Sequence, residues 1–388
     1  MTILPQRRLG KSGLTASNLG FGCMRLPLVP GGTIEDIDVP EAMRMIRHAI
    51  DSGVNYVDTA WPYHAAEFPK PGKSEPVVGQ ALTDGYRERV TLVTKLPLWC
   101  VETRADMDLR LDEQLKRLGV SYLDVYLAHN LNTTNWAKAQ SLGLTDFMDA
   151  AVKDGRIRHP AFSFHDRFPL FQEILESYDW HIAQIQYNYL DIDYQAGRRG
   201  LHLAARRDVG VVIMEPLRGG LLINGIPDDL RQMLAEVRPT WSMADWGLRW
   251  LWSQPEVGVV LSGMSAMPQV KENLRIAAAE PAWTPQDEAA LAMVRKRFEE
   301  RIKVGCTGCG YCLPCPNGVN IPKCFLFYNE YFMADDNAVR ARARVFYERM
   351  TTREEKADNC IACGECLSKC PQGIPIAEAL ADVAQQLR

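Results

Sequence analysis

Long apolar runs are missing from this sequence. No stretch reaches the ~18 consecutive apolar residues that predict a membrane-spanning helix. The N-terminus contains Arg7 and Arg8 without an apolar run behind them, which argues against a secretory signal. Neither sign of charge is in large excess, since the net charge is -4 at pH 7, so composition gives no support for nucleic-acid binding. We therefore expect a cytoplasmic protein with neither membrane nor nucleic-acid partners.

Cysteine is scarce in most of the chain and concentrated near its end. Only Cys23 and Cys100 lie among the first 300 residues, whereas the other nine of the eleven cysteines lie between Cys306 and Cys370. A secreted disulfide protein would not concentrate its thiols beside a large cysteine-poor region. The 388 residues are 47% hydrophobic, which suffices to bury a core without cross-links. The clustered thiols therefore predict a metal centre in a reducing compartment.

A Gly-x-Gly-x-x-Gly turn is also missing after the first predicted strand, which weakens the case for a doubly wound open sheet. Residues 20 to about 280 instead repeat a strand-then-helix theme. The apolar runs typical of buried parallel strands are 21–24, 55–57, 90–94, 123–127, 161–164, 182–185, 211–214 and 257–261. Segments of helical periodicity between them include 41–51, 105–118, 168–178, 194–208 and 241–252. Eight such units predict an α/β fold, the (β/α)8 TIM barrel, with the open sheet as the main rival.

The sequence changes character between Pro281 and Pro285, which predict a break. Residues 286–302 then predict a helix that leads into the cysteine-rich tail. We therefore expect two domains. The first is a barrel over residues 1–285, and the second, over residues 286–388, is a linker helix followed by a small, mainly α-helical domain.

The tail contains two similar cysteine blocks. The first reads Cys306-x-x-Cys309-Gly-x-Cys312-x-x-Cys315-Pro. The second reads Cys360-x-x-Cys363-Gly-x-Cys366-x-x-x-Cys370-Pro. This spacing aims three thiolates of a tight loop at one cubic cluster, while the fourth leaves the loop and can reach another cluster. Two zinc ions held by eight thiolates are the alternative, although thiols this close in sequence fit zinc less well.

These blocks resemble the two-cluster ferredoxin domain, and the resemblance implies two 4Fe-4S clusters. One cluster would be held by Cys306, Cys309, Cys312 and Cys370. The other cluster would be held by Cys360, Cys363, Cys366 and Cys315. Cys324 is expected to be a small buried side chain outside both sets.

Four polar residues fall at or just after predicted strand ends, where a TIM barrel carries its chemistry: Asp58, Tyr63, Lys95 and His129. A lysine that ends an apolar strand is costly to bury unless it is paired or functional, and Asp58 is its natural partner. The structural alternative is a plain buried ion pair beside a core histidine.

This pattern resembles the aldo-keto reductase family over about residues 7–280. The matching motifs are Arg8-Leu-Gly-Lys-Ser-Gly-Leu, Gly53-Val-Asn-Tyr-Val-Asp58-Thr-Ala-x-x-Tyr63, Val93-Thr-Lys95, Leu123-Asp-Val-Tyr-Leu-Ala-His129, Gln184-Ile-Gln186-Tyr-Asn, Glu215-Pro-Leu-x-Gly-Gly220 and Gln269-x-x-Glu272-Asn273. The resemblance implies an NAD(P)H-dependent oxidoreductase that interconverts a carbonyl and an alcohol. Tyr63 would be the general acid in reduction and the general base in oxidation.

The other three residues of this set would support Tyr63. The Lys95 ammonium would favour the phenolate and lower the pKa of Tyr63 below its ordinary ~10. Asp58 would keep Lys95 charged and in place, and His129 would orient the carbonyl oxygen.

The resemblance also implies a nicotinamide cofactor site. Ser163 and Gln186 would hold the carboxamide, and Tyr187 would stack on the ring. The diphosphate would be wrapped by Glu215, Pro216, Leu217, Gly219 and Gly220. The adenosine end would be held by Ser262, Gly263, Met264, Gln269 and Asn273. Ordinary barrel turns are the blander alternative for these loops.

Two departures from the family pattern bear on that site. Phe164 stands where most members have an asparagine, with His165 as a candidate replacement. Neither a lysine nor an arginine lies next to Gly263 and Met264 in the sequence, so the choice between NADP(H) and NAD(H) stays open.

Trp61 and His64 flank Tyr63 and are expected to line the mouth of the substrate pocket.

A hydride carries two electrons, whereas a 4Fe-4S cluster passes one, so three hypotheses remain for the fused tail. In the first hypothesis, the tail exchanges electrons with a carrier such as a ferredoxin or a flavin. In the second hypothesis, the clusters are structural. In the third hypothesis, the protein is a redox sensor or electron-transfer subunit built on an inert barrel.

Overall fold

Eight parallel strands form a closed barrel in which the last strand pairs with the first. In order around the barrel they are β3 (Leu19–Gly22), β4 (Tyr56–Asp58), β5 (Thr91–Leu96), β6 (Leu123–Leu131), β7 (Ile157–Phe164), β8 (Ile182–Gln186), β9 (Gly210–Met214) and β10 (Val259–Gly263). A short antiparallel hairpin, β1 (Gln6–Arg8) and β2 (Thr15–Ser17), precedes them. Closure confirms the predicted TIM barrel and excludes the open sheet. The first barrel strand begins two residues earlier than predicted, and Cys23–Arg25 form a 3-10 turn.

The computed structural model describes residues 4–67, 69–279, 283–306, 308, 310–333, 336–370 and 372–388. The predicted break at 281–285 therefore lies partly outside the described residues. The chain divides into two units, Met1–Leu217 with Ala244–Trp283, and Arg218–Met243 with Thr284–Arg388. The second unit thus includes a segment, Arg218–Met243, that lies within the predicted barrel domain of residues 1–285.

The helices of the first unit follow the barrel strands, as expected from the repeated strand-then-helix pattern. They are α1 (Val39–Asp51), α2 (Ser74–Ala81), α3 (Arg104–Leu118), α4 (Thr133–Ser141), α5 (Leu144–Lys153), α6 (Phe168–Ser177), α7 (Gly197–Arg206), α10 (Met243–Trp252) and α11 (Met267–Ala278). The second unit contains α8 (Leu221–Asn224), α9 (Asp228–Val237), α12 (Pro285–Glu299), α13 (Ile321–Met333), α14 (Asn337–Met350) and α15 (Ile376–Gln386). Within the described ranges, no helix has both the length and the apolar character needed to cross a bilayer.

Local sequence fixes where helices begin and end. Thr103 caps the start of α3 in a reciprocal pair with Asp106, and Gly119 ends it in the left-handed region at φ 67°. The linker helix α12 starts with the same device, Thr284 with Asp287, followed by Pro285 in the first turn. The predicted linker helix is therefore present, and it begins at Pro285.

Side chains along each barrel strand alternate between the interior and the surrounding helices. Buried apolar side chains that pack together in one interior cluster include Tyr56, Val93, Leu127, Ala161 and Ile182. By the same alternation, the residue two positions further along each of these strands also faces inward, at the C-terminal end: Asp58, Lys95, His129, Ser163 and Gln184. The barrel thereby collects these polar side chains at one end.

In the second unit, two contacts hold Arg218–Met243 with the tail helices. The buried Asp287 carboxylate of α12 accepts two hydrogen bonds of 2.7 Å from Arg238, which follows α9. At Gly219, any Cβ would collide with the guanidinium of Arg342 on α14. A bidentate arginine–carboxylate pair fixes both position and orientation, so this segment is firmly tied to α12.

Candidate active site and cysteine centres

A single ammonium group connects the polar residues at the barrel end. Lys95 donates to Asp58 Oδ1 at 2.6 Å, to the backbone oxygen of Thr59 at 2.8 Å and to the Tyr63 hydroxyl at 3.3 Å. Lys95 is 1% exposed and Asp58 is 2% exposed. A buried ammonium has three hydrogens to place, and here each meets an oxygen. The structure therefore brings together Asp58, Tyr63 and Lys95 as the sequence predicts.

Burial and neighbouring charges shift the pKa values of Lys95 and Tyr63 in opposite directions. Burial alone lowers the pKa of Lys95, but the Asp58 carboxylate and Tyr63 outweigh it and hold that pKa above its ordinary value. For Tyr63 the balance is reversed. Burial raises the pKa of the phenol, and the Lys95 ammonium only partly offsets that rise. The expectation of a net lowered pKa for Tyr63 is thus not met, because the loss of solvent outweighs the single neighbouring cation.

His129 completes the group of four. Its ring lies edge-on to Tyr63, with centroids 6.3 Å apart, and against Trp99, with centroids 5.0 Å apart. Burial, together with Lys95, holds the pKa of His129 well below its ordinary value, so the imidazole is neutral. Its Nδ1 is buried and has no hydrogen-bond partner among the residues that the structure describes. Trp99 is a wall of the site that sequence patterns did not reveal.

Gln184 is a second inward-facing residue with an unmatched polar atom. It is 2% exposed, it lies beside Ser163 in the strand pairing, and its Oε1 has no partner within the described part of the chain. Buried polar atoms are nearly always satisfied, so His129 Nδ1 and Gln184 Oε1, on residues that both face the barrel interior at its C-terminal end, are candidate atoms for binding a ligand. Gln184 is not among the predicted site residues, although its place two residues after the interior residue Ile182 is a signal in the sequence that points to it.

The cysteine blocks line two cavities in the second unit. One cavity is lined by Cys312, Cys315, Cys360, Cys363 and Cys366, which includes all four members of the second predicted ligand set. The other is lined by Cys306, Cys312 and Cys370 of the first set. Cys309, the remaining member of that set, lies outside the described residues. Each cavity thus combines thiols from both blocks, as expected if the fourth cysteine of each block reaches across.

With both sites described, the comparisons with known proteins decide the family. The Aldo/keto reductase family matches residues 18–289, and a 4Fe-4S dicluster domain matches residues 305–374. The chain belongs to the aldo/keto reductase family. An uncharacterised oxidoreductase of Bacillus subtilis, YqkF, is 26% identical over 307 residues, which cover 70% of this chain and 90% of that protein.

Two further relatives agree with this assignment. The L-glyceraldehyde 3-phosphate reductase of Escherichia coli K12 is 26% identical over 313 residues, covering 69% of this chain and 86% of the relative. The aldo-keto reductase AKR11C1 of Bacillus halodurans superimposes with a TM-score of 0.62 at 26% identity, covering 75% of this chain and 96% of its own. This aldo/keto reductase therefore consists of a reductase barrel followed by a 4Fe-4S ferredoxin-type region.

The arrangement of the thiols fits a multi-iron cluster better than zinc. Four thiolates around one zinc ion lie about 3.8 Å apart, because each Zn–S bond is ~2.3 Å. No three cysteine, histidine or carboxylate side chains converge in this way in the part of the chain that is described. The thiols instead line the two cavities described above. Cys324 lines neither cavity; it is buried, and its thiol lies 3.4 Å from the backbone oxygen of Glu355.

Other predicted cofactor residues make contacts within the protein. Ser163 Oγ accepts the backbone N–H of Asn130 at 2.8 Å, and the Gln186 amide donates to Asp191 at 3.0 Å. The Tyr187 ring packs on Trp250 and its hydroxyl bonds Gln254 at 3.0 Å. The same hydroxyl accepts a hydrogen bond from Arg198 of α7 at 3.4 Å. Stacking of Tyr187 on a nicotinamide stays a prediction.

The predicted diphosphate loop follows β9. Glu215 has φ 53°, and Gly219 and Gly220 have φ 59° and 96°. Pro216 and Leu217 lie between Glu215 and the glycines. Leu217 packs closely on Gly247 of α10, because a Cβ on Gly247 would lie 2.6 Å from Leu217 Cδ2. Positive φ at consecutive glycines suits a loop that turns its backbone toward a ligand.

The predicted adenosine-binding residues lie around the end of β10. Asn273 donates to Ser262 Oγ at 2.8 Å, and Gln269 accepts the N–H of Ser265 at 2.8 Å, while Met264 is buried. Arg25, remote in sequence, lies over Gly263, where a Cβ would be 3.2 Å from the arginine Cδ. The fold thus brings an arginine to a place where the local sequence has none.

The predicted substrate residues have their polar atoms engaged elsewhere. Trp61 is buried, its indole N–H donates to Glu113 at 3.4 Å, and Arg110 lies 5.7 Å from the ring centre. Both ring nitrogens of His64 are hydrogen-bonded to backbone groups. The role of these two residues at the substrate mouth stays a prediction.

Replacing Asp58 by asparagine tests the buried pair of this aldo/keto reductase. The substitution leaves the Lys95 ammonium without a counter-charge, so the free energy of unfolding of the barrel should fall by about 3–5 kcal/mol in urea denaturation. Glu41→Gln, which breaks the surface pair between Glu41 and Arg44, should leave the urea midpoint nearly unchanged. Equal midpoints for wild type and Asp58→Asn would show that Lys95 is not held as a buried ion.

Proposed function

We propose that this protein is an NAD(P)H-dependent oxidoreductase that interconverts an aldehyde or ketone and an alcohol. The observation that carries the proposal is the Lys95 ammonium, which bonds both Asp58 and the Tyr63 hydroxyl at the C-terminal end of the barrel. When bound, a reduced nicotinamide would supply the hydride for the carbonyl carbon. The protein's own task is then to supply one proton to the carbonyl oxygen.

Tyr63 is suited to give that proton. Its hydroxyl is protonated throughout the neutral range, and the Lys95 ammonium partly offsets the rise in pKa caused by burial, which makes the phenol a better acid than burial alone would leave it. Once the proton has moved to the carbonyl oxygen, Lys95 stabilises the phenolate across a 3.3 Å contact, and solvent later returns the proton. Neutral His129 offers a ring nitrogen to orient the carbonyl oxygen beside Tyr63.

The unmatched polar atoms fit a nicotinamide. A carboxamide supplies N–H donors, and Gln184 Oε1 is a buried acceptor without a described partner, next to Ser163. Gln184 and Ser163 would therefore hold the carboxamide, with the loop from Glu215 to Gly220 near the diphosphate. The glyceraldehyde 3-phosphate reductase among the relatives acts on an aldehyde, which agrees with a small carbonyl substrate here.

Replacing Tyr63 by phenylalanine should lower kcat for carbonyl reduction by about 10²- to 10⁴-fold, because only the proton donor is removed. Binding of NADPH or NADH, followed by fluorescence titration, should stay close to wild type. Tyr86→Phe, which removes an exposed hydroxyl bonded to Asp51, is the matched control. Wild-type turnover by the Tyr63→Phe enzyme would contradict the proposal.

We further propose that NADP(H) is the preferred cofactor, because Arg25 lies over Gly263 in the predicted adenosine region. Arg25→Gln should then weaken NADPH binding about tenfold while changing NADH binding little, since a charged hydrogen bond to a 2′-phosphate is lost. Arg44→Gln, at a surface ion pair of α1, is the control. An equal loss of affinity for NADPH and NADH would instead show that Arg25 contacts a group common to both cofactors.

For the tail we propose two 4Fe-4S clusters, held by the two cysteine sets, in a reducing compartment such as the cytoplasm. Such clusters supply one-electron transfer when bound. Replacing Cys360, Cys363 and Cys366 together by alanine should remove about half of the iron and acid-labile sulfide from anaerobically purified protein. Cys324→Ser should retain all of both. A full iron content in the triple variant would refute the assigned ligand set.

The same variants distinguish the roles of the clusters. Turnover with NADPH alone that survives in the triple variant would make the clusters structural. Turnover that requires a viologen or ferredoxin would assign them to electron transfer with an external carrier, including a flavin.

A further inference from the structure

His64 adopts a backbone conformation that histidine rarely takes. Its φ is 62°, in the left-handed region, where a side chain crowds the backbone and glycine is favoured. The residue is 4% exposed and follows Tyr63 directly in the chain. A non-glycine residue held there needs compensating contacts, and such residues cluster at functional sites.

The compensating contacts are made by the imidazole. Its Nε2 accepts the backbone N–H of Leu26 at 3.1 Å, and its Nδ1 lies 2.8 Å from the backbone oxygen of Ile34. Because an amide nitrogen only donates and a carbonyl oxygen only accepts, the ring is neutral with its hydrogen on Nδ1. One side chain thus fastens Tyr63's neighbour to two points of the loop between β3 and α1.

The backbone around Tyr63 is fastened from the other side by the start of α2. The backbone oxygen of Tyr63 accepts a hydrogen bond from the N–H of Ser74 at 3.2 Å, and the backbone oxygen of His64 accepts one from the N–H of Lys73 at 3.2 Å. The Ser74 hydroxyl in turn bonds Thr59 and the Cys23 oxygen, both at 2.9 Å. Ser74 and His64 therefore both attach the backbone around Tyr63 to the β3–α1 connection, Ser74 at Cys23 and His64 at Leu26 and Ile34.

We infer that His64 is a positioning residue, not a substrate contact: it holds Tyr63 at hydrogen-bonding distance from Lys95. The inference rests on the proposed role of Tyr63 as the proton donor. With both ring nitrogens bonded to backbone, His64 presents no polar ring atom to a substrate. Losing the ring would leave Tyr63 present but free to drift from the ammonium, and displacements of about 1 Å can cost 10²-fold in rate.

His64→Gly tests this directly, because glycine accepts the same φ and removes only the ring contacts. At temperatures below the thermal midpoint of the variant, we expect kcat to fall about 10- to 100-fold with NADPH affinity close to wild type. The thermal midpoint itself should fall, because the Leu26 N–H and the Ile34 oxygen lose their partner. In alcohol oxidation, the apparent pKa in the pH profile of kcat should rise, because a displaced phenolate loses help from Lys95. His64→Asn, which tolerates positive φ and keeps a donor and an acceptor, should recover part of kcat.

The control is Asp84→Gly, at an exposed residue that also has positive φ, 59°, and is remote in sequence from Tyr63. It should keep wild-type kcat. Two results would overturn the inference: an unchanged kcat and pH profile in His64→Gly, or a loss of kcat in the folded variant that only parallels lost cofactor binding. If Tyr63→Phe retains turnover, the proposed function fails. If Tyr63→Phe is inactive and His64→Gly is fully active, only the positioning role fails.

Discussion

A buried ammonium is the constraint on which the candidate active site depends. An isolated lysine charge inside a barrel would be strongly disfavoured, so Lys95 can stay ionised only where oxygen atoms receive all of its hydrogens. Asp58, the Thr59 backbone and the Tyr63 hydroxyl provide those oxygens. The same geometry that makes the charge tolerable therefore places it beside the phenol, and structural need and proposed catalytic use coincide in one group.

That coincidence explains why the surrounding segment is so firmly held. The phenol must stay near the ammonium although Tyr63 lies on a connecting loop and not on a strand. Loops move more readily than strands, and the hydrogen bonds of His64 and Ser74 to neighbouring segments offset that freedom. The rise in the pKa of Tyr63 follows from the same enclosure, since excluding water disfavours the phenolate.

The second unit adds a feature that a simple fusion of two domains would not require. Its cysteine cavities are built from the tail alone, yet the unit also takes in Arg218–Met243 from the loop that follows β9. Gly219 and Gly220, predicted to face the cofactor diphosphate, belong to this segment. Arg342 and the Arg238–Asp287 pair hold it with the tail helices. The second unit therefore combines the iron–sulfur region with a segment that begins at Arg218, directly after the last barrel residues that follow β9.

The sequence by itself determined the barrel fold, the presence of an iron–sulfur region and the position of Asp58 and Lys95 at strand ends, because strand periodicity and cysteine spacing are local patterns. Only the tertiary structure decided which polar atoms stay unmatched, as at Gln184, and which distant residues meet, as Arg25 does with Gly263. It also decided the pKa of Tyr63 and the bonding of His64. These depend on burial and on contacts between segments far apart in the chain, which no local pattern encodes.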